Sequence, residues 1–587
     1  LQTIEPARGN TTTLAETAVN GDYRSKVTGN WGSPASWQVY NNGIWADATV
    51  PPSYNDGAIT VRSGHIITVA EAVTADQLLI DAGGEVKINS GVTMTINDKN
   101  DGVPDPVDCT VSGTLYNAGT LVPTGQFAFM NGSLYVHATD GGTVPSSVWE
   151  SGSSCQITGI TNTAPTGLGQ TFGNFIWNCS AQAATLTVSV NSNISVLGNC
   201  TISSTGSGKI AITNSANPYS MTVYGDFVQT GGTFAINAGT SSAVTDYLYV
   251  AGNLQFTGGT ITELSTNPSG RGAIVFNGDG GMQLYTSGGT FQNTIDFRVD
   301  PGAYLQMGTG QIPSYITAST GGFTLSAGAT LGITSASGIT LSSTDPSSGG
   351  NIRVTGTRTY DSGANYIYNG NVNQYTGNGL PATVNTLTFN NTGGSVRFLQ
   401  GHTITESFSI TAGARTNLGA FTHSTVFLSL GGEAQVNGSY GGATSGADYE
   451  LPEYFDAATG IIYNNPPAGT WLGNTTAWDL ASNWVGGIPT GSSTARITSY
   501  APNQPVIFST TSAVCNILSV NTGASLTING DATFTSLENN GTVTINPGGK
   551  ATINTFINTG SLNLESDLSG MFSFMPGTFS GTGTVNT

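Results

Sequence analysis

The chain has 587 residues, of which 81 are glycine and only 8% are charged, and its formal net charge at pH 7 is −19. Average proteins contain about 7% glycine and about 25% charged residues. The 15 lysine and arginine residues are scattered, which excludes nucleic acid as a partner, because binding it requires a basic surface that neutralises phosphates. No apolar run reaches the roughly 18 residues of a membrane span. The hydrophobic content of 37% still suffices for a folded core.

Residues 1–27 are polar and irregular, and we expect them to form an N-terminal tail. The first residues, Leu1-Gln2-Thr3, are typical of a mature N-terminus left after an export signal has been removed. Such a tail has too little apolar content to fold by itself. We therefore predict that it is a docking segment, which attaches to a neighbouring copy of the chain.

Two tryptophan-rich segments follow, one near each end of the chain. They contain Trp31, Trp37 and Trp45 in the first segment and Trp471, Trp478 and Trp484 in the second. Tryptophans placed just before a solenoid are typical of a cap, because an uncovered end exposes strand edges and apolar core. Aromatic clusters also serve as sugar-binding platforms, and the sequence leaves that alternative open.

A short box of alternating apolar residues recurs along the chain. It consists of two apolar positions, a turn with glycine and two further apolar positions, and it lies at residues 78–88, 297–307, 323–333 and 518–528, with a weaker copy at 408–418 in which Thr416 takes one apolar position. Alternation of apolar with polar residues predicts strands that bury one face and expose the other. Tandem β-sandwiches also give short strands at regular spacing. The shared box favours a solenoid.

Residues 532–545 show the repeat most openly, since their pattern recurs 19 positions later at residues 551–564. A unit of about twenty residues made of short strands and turns is typical of one coil of a β-solenoid. With coils of about 19–26 residues, the chain holds roughly twenty coils. We therefore predict an all-β fold, a parallel β-helix in two segments, each preceded by a tryptophan-rich cap.

These patterns predict four domains. They are the tail at 1–27, a cap plus large solenoid at 28–445, an acidic and aromatic joint at 446–467, and a second cap plus short solenoid at 468–587.

The second tryptophan segment resembles the openings of known secreted proteins. It reads Gly469-Thr470-Trp471-Leu472-Gly473, then Trp478-Asp479, Ser482-Asn483-Trp484 and Gly487-Ile488-Pro489. It is similar to tryptophan-rich openings in large Bacteroidota surface adhesins that are exported by the type IX route, where boxes such as Gly523-Ala524-Ser525-Leu526-Thr527-Ile528 follow. The resemblance implies an extracellular or cell-surface location and carries over no catalytic residue.

One loop has the spacing of a calcium site. Counted from Asn97 as position 1, oxygen donors stand at positions 1, 5, 9 and 12, which are Asn97, Asp101, Asp105 and Asp108. This is the spacing by which a loop surrounds a hard cation with carboxylates. Position 3 is Lys99, where a ligand is expected, and Asp98 is the candidate to replace it. We predict Ca²⁺ here, with a plain insertion loop as the alternative.

Three further groups of residues have two interpretations each. Asp296, Arg298 and Asp300 alternate on one strand. They form either a catalytic face or a solvated ion pair, and their box positions favour the ion pair. His402 and His423 are 21 residues apart. They are either two metal ligands or part of a stacked polar ladder, and the ladder is favoured. Cys179 and Cys200 have the same separation. They form either a disulfide or a pair of reduced core residues, and both interpretations remain open.

The sequence as a whole indicates a non-enzymatic extracellular structural protein. The expected role is a filament subunit that assembles head to tail with itself, or a surface adhesin stalk. The final coil keeps the repeat rule to residue 585, and an uncovered strand edge there would pair with another chain. The alternative is a β-helix that binds or degrades polysaccharides, with surface glycans as partners. Its charges would be gathered on one face, whereas the charges of this chain are sparse and scattered.

Overall fold

The computed structural model describes residues 18–98, 107–188, 192–239, 243–317, 319–341, 350–565 and 573–586. The chain is nearly all β and forms a parallel β-solenoid of about 21 turns, which confirms the predicted fold class. In these ranges the helical segments are two 3-10 turns, Pro34–Ser36 and Ala481–Asn483. None of the described helices has the length and apolarity that crossing a membrane requires.

The chain divides by its internal contacts into two compact units. The first comprises Leu1–Arg298, Ile316–Gly322 and Val354–Gly356, and the second comprises Val299–Tyr315, Phe323–Arg353 and Thr357–Thr587. The domain boundaries predicted from the sequence remain predictions.

The strands of the first unit follow each other from coil to coil on the faces of the solenoid. One face holds Tyr23–Ser25, Trp37–Asn41, Ile44–Asp47, Ile59–Val61, Leu78–Ile80, Cys109–Val111, Phe127–Phe129 and Ser147–Trp149. Another holds Thr171–Phe172, Ile194–Val196, Ser220–Val223, Thr245–Val250, Arg271–Phe276 and Ile295–Val299. Further strands are Gly29–Asn30, Ile66–Val69, Glu85–Ile88, Thr114–Asn117, Leu134–His137, Ser154–Ile157, Asn174–Asn178, Cys200–Ser204, Phe227–Gln229, Leu254–Phe256 and Met282–Ser287. The remaining strands are Val73–Ala75, Thr93–Ile96, Thr120–Pro123, Thr185–Thr187, Lys209–Thr213, Thr233–Asn237, Thr260–Thr262, Thr290–Phe291 and Ile316–Thr317.

The second unit has the same construction. Its longest series is Tyr304–Met307, Thr330–Ile333, Asn365–Tyr368, Thr383–Phe389, Thr403–Ile410, Thr422–Leu430, Glu433–Ala434, Gly438–Gly441, Tyr449–Glu450 and Ile461–Asn464. Phe323–Leu325 pairs with Arg358–Tyr360, and Gln374–Tyr375, Ser395–Arg397 and Arg415–Asn417 form a three-stranded sheet; Ile352–Arg353 is a further short strand. The C-terminal coils add two five-stranded sheets: Thr494–Ile497, Ser512–Val520, Asp531–Asn539, Lys550–Asn558 and Ser573–Ser580, and Val506–Ile507, Ser525–Ile528, Thr542–Ile545, Ser561–Leu564 and Thr584–Asn586.

The predicted box forms two strands joined by a turn. At residues 78–88 the four apolar positions, Leu78, Ile80, Val86 and Ile88, are all buried. Gly83 in the turn has a φ of 81°, a left-handed conformation that favours glycine. The box is therefore a corner of one coil, with its apolar residues directed into the core.

The 19-residue repeat sets the register of the C-terminal coils. Strand Asp531–Asn539 pairs in parallel with Lys550–Asn558, which places Phe534 beside Ile553 and Leu537 beside Phe556. Neighbouring strands lie about 4.8 Å apart, so equivalent apolar residues of successive coils pack directly on each other. The period predicted from the sequence is confirmed.

The corners of the first unit are tied together by a chain of side-chain hydrogen bonds that we call the corner ladder. The backbone N–H of Asn199 donates to Oδ1 of Asn174 at 2.8 Å, and the N–H of Asp226 donates to Oδ1 of Asn199 at 2.8 Å. The N–H of Asn253 donates to Oδ1 of Asp226 at 2.8 Å, and that of Leu284 to Oδ1 of Asn253 at 2.7 Å. Each coil thus satisfies a backbone donor of the next.

A glycine precedes each side chain of the corner ladder, because successive corners approach too closely for a side chain. A Cβ on Gly225 would lie 2.6 Å from the carbonyl oxygen of Gly198, and a Cβ on Gly252 would lie 2.4 Å from that of Gly225. Both distances are far below van der Waals contact. Close stacking of corners therefore accounts for part of the high glycine content.

The acidic and aromatic joint predicted at 446–467 is built into the second unit. Strand Ile461–Asn464 pairs in parallel with Thr422–Leu430 and antiparallel with Gly438–Gly441. Phe455 is fully buried and forms a bridge with Thr416. The segment is part of the folded body, and its aromatic residue contributes to the core.

Part of the predicted tail lies in the sheet of its own chain. Tyr23–Ser25 pairs antiparallel with Trp37–Asn41 and in parallel with Ile59–Val61. Residues 1–17 lie outside the described residues. The segment that remains for docking on another copy is therefore shorter than the 27 residues predicted.

Candidate functional site

The two tryptophan segments contain the same local structure. In the first unit the indole N–H of Trp37 donates to the carbonyl of Trp31 at 2.7 Å, and the two rings meet edge to face at 5.1 Å. In the second unit Trp484 donates to the carbonyl of Trp478 at 2.8 Å, with ring centroids 4.7 Å apart. A 3-10 turn lies between the two tryptophans of each pair. The duplication seen in the sequence is thus a duplication of structure.

Burial decides between the two interpretations of these aromatic clusters. Five of the six tryptophans are at most 3% exposed: Trp31, Trp37, Trp471, Trp478 and Trp484. Rings so buried cannot stack on a sugar, which removes the platform alternative for these five. Their role as end caps remains a prediction.

The hairpin behind the first tryptophan pair has a strand edge. Trp37–Asn41 and Ile44–Asp47 pair antiparallel across a tight turn at Asn42-Gly43, where both residues have positive φ angles. Among the described strands, Ile44–Asp47 is the outermost of its sheet and pairs on one side only. Its first residue, Ile44, is 66% exposed. An edge of this kind can accept a further strand.

Of the four predicted calcium ligands, only Asn97 and Asp108 lie within the described residues, and Asp101 and Asp105 do not. The backbone oxygen of Asn97 and Oδ2 of Asp108 both lie beside Gly125, within 2.7 Å of where a Cβ on that glycine would stand. The ends of the loop therefore meet. Asp108 is 3% exposed, and its Oδ2 accepts the N–H of Gln126 at 2.5 Å. Searched over its described part, the chain has no group of three or more metal-ligating side chains.

Calcium binding by this loop has a direct consequence for stability. If the loop holds Ca²⁺, a chelator is expected to lower the melting temperature, because a ligand that binds only the folded state stabilises it. The change Asp101→Ala should abolish this sensitivity, whereas Asp531→Ala, in the second unit, should leave it intact. Calorimetry with and without EDTA measures both. A chelator effect that survives Asp101→Ala would reject this loop as the site.

His402 and His423 stack on neighbouring coils, with ring centroids 6.0 Å apart and planes inclined by 11°. The Nδ1–H of His402 donates to the carbonyl of Pro381 at 2.8 Å, and the backbone N–H of His402 donates to Nδ1 of His423 at 3.2 Å. His423 in turn donates its Nε2–H to the carbonyl of Leu418 at 3.2 Å. This is the stacked polar ladder that the sequence favours. The two rings line a groove of about 470 Å³.

Burial keeps this histidine pair neutral. It lowers the pKa of both rings, and it lowers that of His423 to about 4. A ring with a depressed pKa contributes stability above the unfolded pKa of about 6.5, and this stability is lost as the pH falls towards 4, because the unfolded state then binds the proton more readily.

We therefore expect the second unit to lose on the order of 2–3 kcal/mol between pH 7 and pH 4 through His423. Thermal melting at half-unit steps of pH measures this loss. The variant His423→Asn should have a shallower dependence on pH than the wild type, whatever its absolute stability. Thr403→Ala, in the same groove but without a titratable group, is the control and should keep the wild-type slope. Equal slopes for wild type and His423→Asn would contradict this assignment.

Asp296 forms an ion pair, but with a partner that the sequence did not suggest. Its Oδ1 lies 3.3 Å from Nη1 of Arg271 on the adjacent strand, and the two side chains are 34% and 42% exposed. Oδ1 also accepts the backbone N–H of Gly322 at 2.7 Å. The carboxylate is thus engaged in a partly solvated ion pair, as the favoured interpretation expected.

The five cysteines are all buried and free. Cys155 and Cys200 both pair with Phe175 on the strands beside them, and the thiol of Cys179 donates to the carbonyl of Ile157 at 3.4 Å. Cys179 therefore does not lie over Cys200. The cysteines fill the core as small residues.

Asp246 is a buried carboxylate that sequence reasoning missed. It is fully buried, and burial raises its pKa to about 6, although the N–H of Tyr219 donates to its Oδ1 at 2.7 Å. Residues alternate between buried and partly buried along strand Thr245–Val250, and Asp246 takes a buried position. The alternation of this strand in the sequence could have predicted that burial.

Comparison of the chain with protein-family models, with curated proteins and with solved structures gives no match.

Proposed function

We propose that this chain is a non-enzymatic structural protein of the cell surface or extracellular space, which assembles end to end with copies of itself. The observation that carries the proposal is the one-sided strand Ile44–Asp47 at the outer end of its sheet. A strand from another chain added there would satisfy its backbone groups. The candidate donor is segment 1–17 of a second copy, which precedes the same hairpin in sequence.

The construction of the coils suits a load-bearing role. Successive corners of the first unit are joined by the corner ladder, and successive strands pair in register. Such in-register stacking makes a repeat protein stiff along its axis. The low content of charge and the resemblance to Bacteroidota surface proteins support an extracellular location.

Deletion of residues 1–17 tests this proposal. The intact chain is expected to form fibres in negative-stain electron micrographs and fast-sedimenting species in the ultracentrifuge, whereas the truncated chain should remain monomeric. The deletion must end before Tyr23, because Tyr23–Ser25 belongs to the sheet of its own chain. A chain whose first 17 residues are replaced by a scrambled sequence controls for length. Fibres from the truncated chain, or an intact chain that is monomeric at high concentration, would contradict the proposal.

A surface adhesin is the second candidate, because the second unit has a polar pocket suited to a sugar. This role does not exclude assembly, since many copies along a fibre would present many pockets.

A further inference from the structure

A polar pocket of about 220 Å³ lies on the second unit, outside the sites considered above. It is built on the neighbouring strands Gln374–Tyr375, Ser395–Arg397 and Arg415–Asn417. Their parallel register places Tyr375, Arg397 and Asn417 side by side, at about 4.8 Å per strand. The residues that directly precede them on the three strands, Gln374, Val396 and Thr416, are buried, so this row faces outward.

Two asparagines of the pocket have their oxygens occupied. Oδ1 of Asn373 accepts the backbone N–H of Ser395 at 3.0 Å, and Oδ1 of Asn417 accepts the N–H of Gly419 at 2.8 Å. These backbone donors fix which atom of each amide is the oxygen. The amide NH₂ groups are left as donors, and neither has a hydrogen-bond acceptor among the described residues.

The charged groups of the pocket also leave hydrogen-bond donors free. Its one carboxylate, Asp456, is engaged by Arg415 at 2.9 Å and by the hydroxyl of Ser395. Arg397, by contrast, is exposed and has no acidic partner in the described part of the chain. We call this arrangement of Arg397, Asn373 and Asn417 the donor pocket.

We propose that the donor pocket binds the anionic group of an acidic sugar. A guanidinium pairs with a carboxylate or sulfate through two parallel hydrogen bonds, and the amide groups supply further donors. The ring of Tyr375, which is 47% exposed, offers an apolar surface to the sugar ring. The pocket is smaller than the roughly 300–1,000 Å³ of sites for larger ligands, so it fits a single sugar unit.

This proposal rests on the adhesive role within the proposed function, for which it names the ligand. It does not depend on assembly, because all residues of the donor pocket belong to one unit of one chain.

Titration of the full chain with three disaccharides tests the proposal. Digalacturonate carries carboxylates, a sulfated chitobiose carries sulfates and cellobiose carries neither. By calorimetry at low salt, at least one acidic disaccharide is expected to bind about tenfold or more tightly than cellobiose. The stronger of the two acidic probes identifies the anion. Equal binding of cellobiose, or binding of neither acidic probe, would overturn the proposal.

Three variants assign the binding to the pocket. Arg397→Gln should weaken it about tenfold or more, and so should Asn417→Asp, which replaces a donor with a carboxylate. Arg62→Gln removes an exposed arginine of the first unit and should have no effect. Unchanged binding in Arg397→Gln would overturn the proposal, provided that its melting temperature equals that of the wild type. Micrographs of the same samples show separately whether fibres form, so a failure of assembly is distinguishable from a failure of binding.

Discussion

Replacing Trp37 with alanine is expected to lower the free energy of unfolding by about 3–5 kcal/mol, the usual cost of truncating a buried tryptophan. The side chain is 0% exposed, its indole N–H donates to the carbonyl of Trp31, and its ring packs on that of Trp31. Truncation leaves a cavity and a buried carbonyl without its donor. Because the second pair has the same geometry, Trp484→Ala should have a cost of the same size in the second unit. Urea unfolding followed by far-ultraviolet circular dichroism measures both.

Trp45, which is only partly buried, provides the matched control for this prediction. Its ring lies 4.3 Å below the guanidinium of Arg24, a contact of about 0.5–1 kcal/mol at such a site. Trp45→Ala should therefore cost far less than Trp37→Ala, although the chemical change is the same. Equal costs for the two variants would show that the buried pair does not organise its segment.

The second large effect is expected at Gly252, where an added methyl group would meet the backbone of the preceding coil. The new Cβ would lie 2.4 Å from the carbonyl oxygen of Gly225 and 2.5 Å from its carbon. Gly225 lies in the turn between strands Ser220–Val223 and Phe227–Gln229, and its backbone atoms cannot move aside as a flexible side chain can. Gly252→Ala is therefore expected to cost about 3 kcal/mol or more, at the upper end of the range for overpacking.

Gly281 is the control for this substitution, because a Cβ there would meet nothing within 4 Å. Gly281→Ala is expected to change stability by less than about 0.5 kcal/mol. Thermal melting of both variants beside the wild type makes the comparison. If Gly252→Ala has the melting temperature of the wild type, successive corners are less closely stacked than the structure indicates. Close stacking would then not explain why a glycine precedes each side chain of the corner ladder.

Local alternation made much of the fold predictable. The positions Leu78, Ile80, Val86 and Ile88 are buried as the box requires, because the alternation of a strand is visible within a few residues. The 19-residue period also predicted the register of the C-terminal coils, since two copies without an insertion can pair only in one way.

Contacts between coils of unequal length were not predictable. The disulfide interpretation of Cys179 and Cys200 assumed a coil of 21 residues, but the register pairs Asn178 with Ser204 across a bulge. The corner ladder was missed for the same reason, because its side chains are 25–27 residues apart. An insertion in one loop shifts every later partner, so a fixed period fails even where each strand is recognised.

The same difference decides which candidate sites could be predicted from the sequence. The stacking of His402 on His423 was predictable from their spacing, because no insertion separates them. The partner of Asp296 was not, since Arg271 lies one full coil earlier, and the donor pocket draws its residues from three neighbouring coils. Sites assembled from several coils require the register of all of them.

Amide hydrogen exchange at strand 44–47 tests end-to-end assembly most directly. A synthetic peptide of residues 1–17 is added to the chain that lacks them, and exchange is followed by mass spectrometry. If the peptide adds a strand to the hairpin edge, exchange of residues 44–47 is expected to slow, because their free N–H groups become hydrogen-bonded. A scrambled peptide should have no effect. Unchanged exchange at 44–47 with a saturating amount of the native peptide would contradict the docking of one chain on the next.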